Sequence, residues 1–418
     1  MKRYDEYKDS GVEWIGEVPR HWKSCRFKDF MKLSTTASDS IHKIGLENIE
    51  SATGRFIETN TEFEGNGVEF KKDSIVYGKL RPYLQKVWLA EFEGNAVGDF
   101  FVFNAKSNSC PLYIKYLMLS DGFTKEADGS TFGAKMPRVS SDFILTLHFC
   151  LPPIMEQMCI ASYLDKKCSE IDNVISAQQK RIALLQELKQ SVITHAVTKG
   201  LNPNVEMKDS GVEWIGKVPK HWEVMKTSLA FNGIGSGTTP STSKKEFYDD
   251  EGKYWLQTGD LNDGMIFDTS KKVSDVAIKA CNLKFYPKDS VVIAMYGATI
   301  GKVGILGIKT ATNQACCVLP ANKYMVAKYS FYEFFACKPA LLVSAIGGGQ
   351  PNISQDTIRK QKIAVPPYIE QQEIAGYLDK KCASIDSAIS KAQHQVELLQ
   401  EYKQSLITEV VTGKRKVS

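Results

Sequence analysis

The chain has 418 residues, of which 43% are hydrophobic and 24% are charged, and its formal net charge is +5 at pH 7. These values are ordinary for a globular protein, and the length allows roughly two to four domains. No apolar run approaches the roughly 18 residues of a membrane span, and the first residues lack the apolar core of a signal peptide. We therefore expect no association with a membrane.

Cysteine usage and charge distribution narrow the class of protein further. The ten cysteines include no CxxC pair, which predicts reduced thiols in a cytoplasmic protein, with neither a disulfide framework nor a zinc site. Residues 1–150 carry 20 Lys+Arg against 21 Asp+Glu, whereas residues 207–365 carry 20 against 14. A basic excess in the second stretch is compatible with a polyanionic partner.

The first distinctive segment of the chain is a motif that occurs twice. KDSGVEWIGEVPRHW at residues 8–22 returns as KDSGVEWIGKVPKHW at residues 208–222, with 13 of 15 positions identical. Its tryptophans are Trp14 and Trp22, with Trp214 and Trp222 in the second copy. An identical segment cannot read two different base sequences, so we predict that these rings bury against a neighbouring element. Stacking on bases is the alternative.

The stretch that follows each motif alternates short β-like runs with turns. KKDSIVYGKLRPYLQKV (71–87) lines up with PKDSVVIAMYGATIGKV (287–303), and in both a β-like run precedes a glycine-bearing turn with basic and hydroxylic residues. GAKMPRVS (133–140) lines up with GGQPNIS (348–354). Strand-like runs bounded by Gly, Asn and Asp predict mixed α/β domains.

The longest predicted elements also form a repeat, Leu151–Gly200 and Val365–Lys414, offset by 214 residues. Between residues 163–194 and 377–408, 20 of 32 positions are identical. A Pro pair opens each copy, and TKG or TG closes it, which are helix start and stop signals. About 45 residues at 1.5 Å per residue make a helix of roughly 65 Å.

Both copies carry an apolar stripe at alternating spacings of four and three residues, which is typical of a helix packed along a partner helix. The stripe residues are Leu164, Cys168, Ile171 and Ile175, then Ile182, Leu185 and Val192 in the first copy, and Leu378, Cys382, Ile385 and Ile389, then Val396, Leu399 and Leu406 in the second. Two matched helices most simply pair with each other. The alternative is two ordinary amphipathic helices, each buried in its own domain.

A catalytic constellation is missing from the sequence. GATIGKV (297–303) is one residue too short for a phosphate-binding loop, and Val303 stands where that loop needs a hydroxyl. Leu151 and Val365 precede the Pro pairs at the place where an amino-methyltransferase NPPY loop needs Asn or Asp. The six histidines show neither metal-ligand spacing nor pairing with a nucleophile motif. We therefore expect no metal, no organic cofactor and no catalysis.

The divergent stretches instead hold side chains suited to nucleic acid. Arg and Lys suit guanine and phosphate, Asn and Gln suit adenine, and hydroxyls suit phosphate oxygens. The candidates are Lys79, Arg81, Tyr83, Lys86, Lys135 and Arg138 in the first stretch, and Ser236, Thr238, Thr239, Tyr296, Thr299, Lys302, Asn313, Gln314, Gln350 and Asn352 in the second. Taken singly, each is better explained as an ordinary surface-loop or turn-capping residue.

In duplicate and in order, these segments resemble the specificity (S) subunits of type I restriction–modification enzymes. The segments that carry the resemblance are GVEWIGxVPxHW at each domain start, GLENIESATGRF (45–56), YGKLRPYL (77–84), SGTTPS (236–241), YGATIGK (296–302), TNQ (312–314), GGGQPNIS (347–354) and PP-x-x-EQ (152–157 and 366–371). Together they cover essentially the whole chain.

The resemblance implies a mixed α/β fold with a pseudo-twofold internal repeat. Target-recognition domains would occupy residues 1–150 and 206–364, and spacer helices at 151–205 and 365–418 would form an antiparallel coiled coil. Each domain would read one half of a bipartite double-stranded DNA target, and the coiled coil would set the gap between the halves. Two methyltransferase (M) subunits would dock on the repeated frame, and restriction (R) subunits would join through them.

Two other classes of protein stay open at this point. A self-contained methyltransferase or nuclease fused to a reader would need a cofactor loop, and a methylation assay on the purified chain alone would reveal it. A coiled-coil scaffold without DNA would show no gel shift on random duplexes, with or without a methyltransferase partner.

Overall fold

The computed structural model describes residues 3–38, 42–133, 135–343 and 352–417. The chain divides into two compact units, residues 1–180 with 392–418, and residues 181–391. Within the described residues, no helix combines the length and the apolar character that a membrane span requires. Each unit contains one copy of the repeated motif, one globular region and a segment of each long helix.

The first unit begins with short strands and short helices that precede a long helix. The strands are β1 (Tyr7–Asp9), β2 (Glu17–Pro19), β3 (Lys23–Arg26), β4 (Met31–Ser34), β5 (Ala37–Ser38), β6 (Lys43–Ile44), β7 (Gly67–Phe70), β8 (Ile75–Gly78), β9 (Val87–Leu89), β10 (Gly94–Ala96), β11 (Phe100–Ala105) and β12 (His148–Leu151). The helices are α1 (Phe27–Phe30), α2 (Pro111–Met118), α3 (Asp121–Gly129), α4 (Ser141–Thr146) and α5 (Ile154–Lys199), and the last of these continues into the second unit.

Two four-stranded sheets form the body of this unit. One is antiparallel with the order β4-β11-β8-β9, and the other has the order β5-β7-β10-β6, in which β10 and β6 are parallel. The hairpin β1-β2 and the pair β12-β3 complete it. Phe27, Phe30, Phe103, Phe123 and Phe149 meet at ring-centroid distances of 5.1–6.5 Å in its core. Such aromatic clusters contribute a large buried apolar area.

The second unit repeats this plan. Its strands are β13 (Met207–Asp209), β14 (Lys217–Pro219), β15 (Glu223–Lys226), β16 (Gly235–Ser236), β17 (Tyr248–Leu256), β18 (Met265–Ile266), β19 (Lys271–Val273), β20 (Phe285–Tyr286), β21 (Val291–Ala294), β22 (Val303–Leu306), β23 (Thr310–Thr312), β24 (Cys316–Leu319) and β25 (Lys362–Val365). Its helices are α6 (Thr227–Ala230), α7 (Asp275–Ala280), α8 (Ala327–Val343), α9 (Gln355–Lys360) and α10 (Tyr368–Val411), which extends into the first unit.

The sheets of the second unit correspond to those of the first. A five-stranded sheet has the order β16-β24-β21-β22-β18, and a four-stranded sheet has the order β19-β17-β23-β20. The pairs β13-β14 and β15-β25 match β1-β2 and β12-β3. Serine side chains cap several of the short helices by accepting from a backbone N–H three residues ahead, as Ser140 does for α4 and Ser354 for α9. The predicted mixed α/β fold is confirmed.

The tryptophans of the repeated motif anchor each unit to the start of a long helix. Trp22 and Trp222 are fully buried, and their indole Nε1–H groups donate to Glu156 at 3.2 Å and to Glu370 at 2.9 Å. The structural interpretation is therefore confirmed for these two rings. Glu156 and Glu370 are both in the first turn of their helices, where a carboxylate also suits the helix dipole.

The two long helices have 46 residues (α5) and 44 residues (α10). In the first unit the first half of α5 packs with the last half of α10, and in the second unit the last half of α5 packs with the first half of α10. This is the pairing that antiparallel helices make. Each helix ends at a glycine in the left-handed region, Gly200 (φ +75°) and Gly413 (φ +72°), as the predicted stop signals require.

The apolar stripe is buried or half-buried along its whole length. Leu164, Ile171, Ile175, Leu378, Ile385 and Leu406 are buried, and Ile182, Leu185, Val192, Ile389, Val396 and Leu399 are half-buried. Polar pairs accompany the stripe: Lys403 donates to Asp172 in the first unit, and Lys189 donates to Asp386 in the second. Since 172 and 386, like 189 and 403, differ by 214, the two contacts are equivalent.

Candidate nucleic-acid interface

In the first unit the candidate residues gather at one edge of the antiparallel sheet. β8 runs antiparallel to β11 and β9, so the end of β8 and the starts of the other two strands lie at the same edge. We call this the first loop edge: residues 79–86, 97–99, 132–133 and 135–138. The last of these segments joins it through backbone bridges of Arg138 with Leu80 and Phe132.

The turn after β8 presents two of the candidates to solvent. Arg81 adopts the left-handed region (φ +51°), and its N–H donates to the carbonyl of Pro137 at 2.8 Å. This contact fixes the turn while the Arg81 side chain stays exposed. Tyr83 follows in a short 3-10 helix with 52% of its surface exposed. The same turn therefore exposes a cation and an aromatic ring, side chains that suit phosphate and base contacts.

Arg138 and Lys79 share one carboxylate at this edge. The Arg138 Nε and Nη2 groups donate to Asp99 at 3.1 and 2.9 Å, and Lys79 Nζ lies 3.7 Å from the same side chain. The hydrogen bond from Arg138 holds the pKa of Asp99 below its usual range. Asp99 was not predicted from the sequence, because nothing in a single Asp before a strand indicates that it meets residues 20 and 39 positions away.

The other two candidates of the first unit differ in their environments. Lys86 Nζ donates to the carbonyls of Leu46 and Ile49, each at 2.7 Å, and burial lowers the pKa of this ammonium. Lys86 therefore stabilises the turn at residues 46–49, and its charge already has two acceptors. Lys135 is exposed, as is Met136 beside it.

The second unit has a matching edge built from different chemistry. β21 ends, β22 and β24 begin, and β16 ends at one edge of the five-stranded sheet, because β21 is antiparallel to β22 and β24, and β16 is antiparallel to β24. We call this the second loop edge: residues 236–239, 295–302, 313–315 and 352. The backbone bridge between Tyr296 and Asn352 occupies the place that Leu80 and Arg138 have in the first unit.

Hydroxyl and amide groups line the second loop edge. Thr238 and Thr239 are exposed, and the Thr239 hydroxyl donates to the side-chain carbonyl of Gln314. Asn313 accepts from the backbone N–H of Ala315 at 3.1 Å, which fixes its amide plane. Ser236 is held in the β16-β24 pair. The structure thus brings these residues together through the contact of one loop with the next.

The remaining candidates of the second unit lie in the turn between β21 and β22. Gly297 (φ +84°) and Gly301 (φ +74°) give this turn its shape, and the Lys302 N–H donates to the carbonyl of Thr299 at 2.9 Å. Thr299 and Lys302 are half-buried there, next to Tyr296. Gln350 lies outside the described residues.

The chain is similar in sequence to proteins of a known family. A family model described as the type I restriction modification DNA specificity domain matches residues 219–398. The type I restriction enzyme MjaVIII specificity subunit of Methanocaldococcus jannaschii is 24% identical over 428 residues, covering 96% of this chain and 94% of that protein. Over most of its length the chain is therefore similar to the type I restriction specificity subunits. It is therefore a DNA specificity subunit, the noncatalytic component of such a system.

Solved structures share the fold of this specificity subunit. A chain from a type I R-M system, solved to explain complex assembly and conformational transition, has a TM-score of 0.75 at 16% identity and covers 94% of this chain and 98% of its own length. The HsdS subunit from Thermoanaerobacter tengcongensis has a TM-score of 0.53 at 16% identity, with coverages of 95% and 98%. Specificity subunits of type I systems work with methylase and restriction subunits and with DNA.

A glycine at the second loop edge provides a direct test of this geometry. A Cβ on Gly237 would lie 1.6 Å from the carbonyl oxygen of Thr312, so Gly237→Ala must displace residues 236–239. We expect DNA binding by the subunit with its methylase partner to weaken about tenfold, as overpacking costs about 1–3 kcal/mol. Gly259→Ala is the control, because a Cβ there meets nothing within 4 Å. Equal binding by the two variants, measured by titration of labelled duplex, would contradict the prediction.

Proposed function

We propose that this specificity subunit reads a bipartite DNA target with two recognition domains, residues 1–150 and 206–364. Spacer segments, residues 151–205 and 365–418, hold these domains at a fixed separation. The observation that carries the proposal is the presence of equivalent loop edges in both units. Each edge lies at the corresponding end of one sheet in its unit, and an antiparallel backbone bridge joins its loops in both cases. The side chains of the two edges nevertheless differ.

The difference between the two edges supports two different half-sites. The first offers Arg81, Lys135 and Arg138, whose charges suit guanine and phosphate. The second offers hydroxyls and amides, such as Thr238, Thr239 and Gln314, which suit phosphate oxygens and adenine. A duplicated scaffold with two different side-chain sets is what an asymmetric target requires.

The long helices are proposed to set the gap between the half-sites. Half-sites on one face of B-DNA lie about one helical turn, roughly 34 Å, apart. A helix of 46 residues at 1.5 Å per residue is roughly 70 Å long, which leaves room for overlap with a partner helix. The equivalent contacts of Asp172 with Lys403 and of Asp386 with Lys189 support a single pairing register.

Two M subunits are proposed to dock on the repeated frame, with R subunits joining through them. Each long helix begins with an exposed apolar patch: Met155 (69% exposed) and Met158 (51%) in α5, and Ile369 (70%) and Tyr368 (47%) in α10. Exposed apolar groups that cluster in this way often mark protein interfaces. Because one patch occurs in each unit, two copies of the same partner fit. The cytoplasmic location and the absence of a cofactor stay predictions.

Mapping methylated adenines in a genome that carries this chain and its partners tests the proposal. We expect one bipartite motif with a fixed number of unspecified base pairs between its halves. A continuous motif would contradict the two-reader arrangement, and a variable gap would contradict the role of the helices. Methylation by the purified chain alone would instead favour a self-contained methyltransferase.

A further inference from the structure

Asp99 occupies a central place at the first loop edge. It follows Gly98, whose φ of +89° makes the tight turn into β11. Its backbone carbonyl accepts from the Lys79 N–H at 2.9 Å, and its carboxylate accepts from Arg138 through two hydrogen bonds. Asp99 therefore fixes the backbone at Lys79 and the side chain of Arg138.

The contact with Arg138 uses a particular edge of the guanidinium group. Nε donates to Oδ1 at 3.1 Å and Nη2 donates to Oδ2 at 2.9 Å, which is a planar two-bond pair. The opposite edge, formed by Nη1 and the second hydrogen of Nη2, stays available. That edge presents two parallel N–H donors, the pattern that guanine accepts through O6 and N7.

The Asp99–Arg138 pair is partly buried but still reaches the surface. The side chain of Asp99 is 22% exposed and that of Arg138 is 38% exposed. Lys79 Nζ lies 3.7 Å from Asp99 and 5.5 Å from the centre of the Phe101 ring, so it too is restrained. A partly desolvated carboxylate that ties two cations limits their freedom to follow the phosphate backbone.

We propose that Asp99 is a positioning residue that orients Arg138 to read a guanine in the half-site of the first domain. By partly neutralising Arg138 and Lys79, Asp99 also lowers their attraction for phosphates of any sequence. The inference rests on the proposed function. It concerns the first domain alone, because Ala315, which precedes β24, stands at the place in the second unit where Asp99 precedes β11.

The test uses the full subunit with its methylase partner and duplexes that differ from the mapped target at one base pair. Binding by wild type and by Arg138→Ala first locates the guanine. Replacing that guanine should weaken binding by wild type roughly 10-fold or more and should leave binding by Arg138→Ala almost unchanged. Asp99→Asn should then reduce discrimination at that base pair about tenfold and leave all other positions unchanged. Its binding to a duplex without the target should become tighter, because one negative charge is lost.

Control variants separate positioning from folding and from simple charge. Glu62→Gln removes an exposed carboxylate of the same unit and should leave the base preference unchanged. Asp99→Asn introduced into the Arg138→Ala chain should have no further effect on discrimination, because the two residues act through one contact. Thermal melting of each variant checks that the unit is folded.

Each contrary result would overturn a different part of the proposal. Discrimination by Asp99→Asn equal to that of wild type, or a uniform loss of binding at every position, would overturn the role of Asp99. Dependence on adenine or on a pyrimidine at the position that Arg138 controls would overturn the assignment of guanine. Absence of sequence preference in the wild-type complex would instead reject the proposed function itself.

Discussion

Replacing Lys403 with alanine should destabilise the protein by about 3 kcal/mol, whereas the same change at Lys189 should cost about 1 kcal/mol or less. The two lysines are equivalent in the repeat, and each donates to an aspartate of the other long helix at 2.8 Å. Their environments differ. Lys403 and Asp172 are 9% and 12% exposed, but Lys189 and Asp386 are 25% and 52% exposed.

The physical reason is the loss of solvent around Asp172. Breaking a buried pair leaves a charge that water cannot reach, whereas an exposed carboxylate is simply hydrated again. Arg55 also contacts Asp172 at 2.9 Å and would keep one partner in place, which is why we expect about 3 kcal/mol and not the upper end of the usual range of about 3–5 kcal/mol. Urea unfolding of the full chain measures the difference.

Methionine variants serve as the control for this comparison. Lys403→Met and Lys189→Met keep most of the apolar length of each side chain, so a difference that persists between them reports the charge and not the packing. Asp172→Asn combined with Lys403→Met should recover part of the lost stability, since it removes the stranded charge. Equal losses at Lys403 and Lys189 would show that the depth of the pair has no effect.

The two long helices are predictable from the sequence alone, whereas the burial of their ion pairs is not. The apolar stripe predicts both helices and their pairing, because a period of 3.5 residues depends only on the residues of the helix itself. The burial of Asp172 could not be predicted in this way. Both copies carry the same Asp and Lys, and the first pair is distinguished by Arg55, which reaches it from the divergent stretch.

The positions of the loop edges are also predictable from the sequence, whereas the environments of their side chains are not. Glycine-bearing turns next to β-like runs indicate where the chain can approach a ligand, and those turns do lie at one edge of each sheet. The environment of each side chain depends on a partner distant in sequence. Lys86 donates to carbonyls 37 and 40 residues away, and Arg138 pairs with Asp99 at a separation of 39 residues. Local patterns contain no information about such pairs.

A buried carboxyl in the second unit should make stability fall as the pH rises. Glu333 is 0% exposed, and its Oε1 accepts from the Ala364 N–H at 2.8 Å. Burial raises the pKa of Glu333 from 4.5 to about 8. In the first unit Leu117 holds the equivalent place, four residues after Tyr113 as Glu333 is four residues after Tyr329, and it cannot titrate.

The sign of the effect follows from where the proton is held. The folded protein keeps Glu333 protonated up to about pH 8, whereas the unfolded chain releases that proton above about pH 4.5. Unfolding therefore releases a proton between these values, and the free energy of unfolding declines by up to about 1.4 kcal/mol per pH unit across the window. Below pH 4.5 the contribution is fully present, and above pH 8 it is lost.

Comparing wild type with Glu333→Gln isolates this contribution, because all other titrating groups are common to both proteins. We expect the difference in unfolding free energy between them to shift in favour of the variant by on the order of 4 kcal/mol from pH 4.5 to pH 8. Tyr329 and Cys337, which face the carboxyl, have pKa values raised well above their ordinary values by burial, so they stay neutral and add no slope. Glu333→Leu, which copies the first unit, should be equally free of this slope. Parallel pH profiles for wild type and both variants would mean that Glu333 is already ionised in the folded protein. Its charge would then have to be stabilised by the Ala364 N–H and the Tyr329 hydroxyl alone.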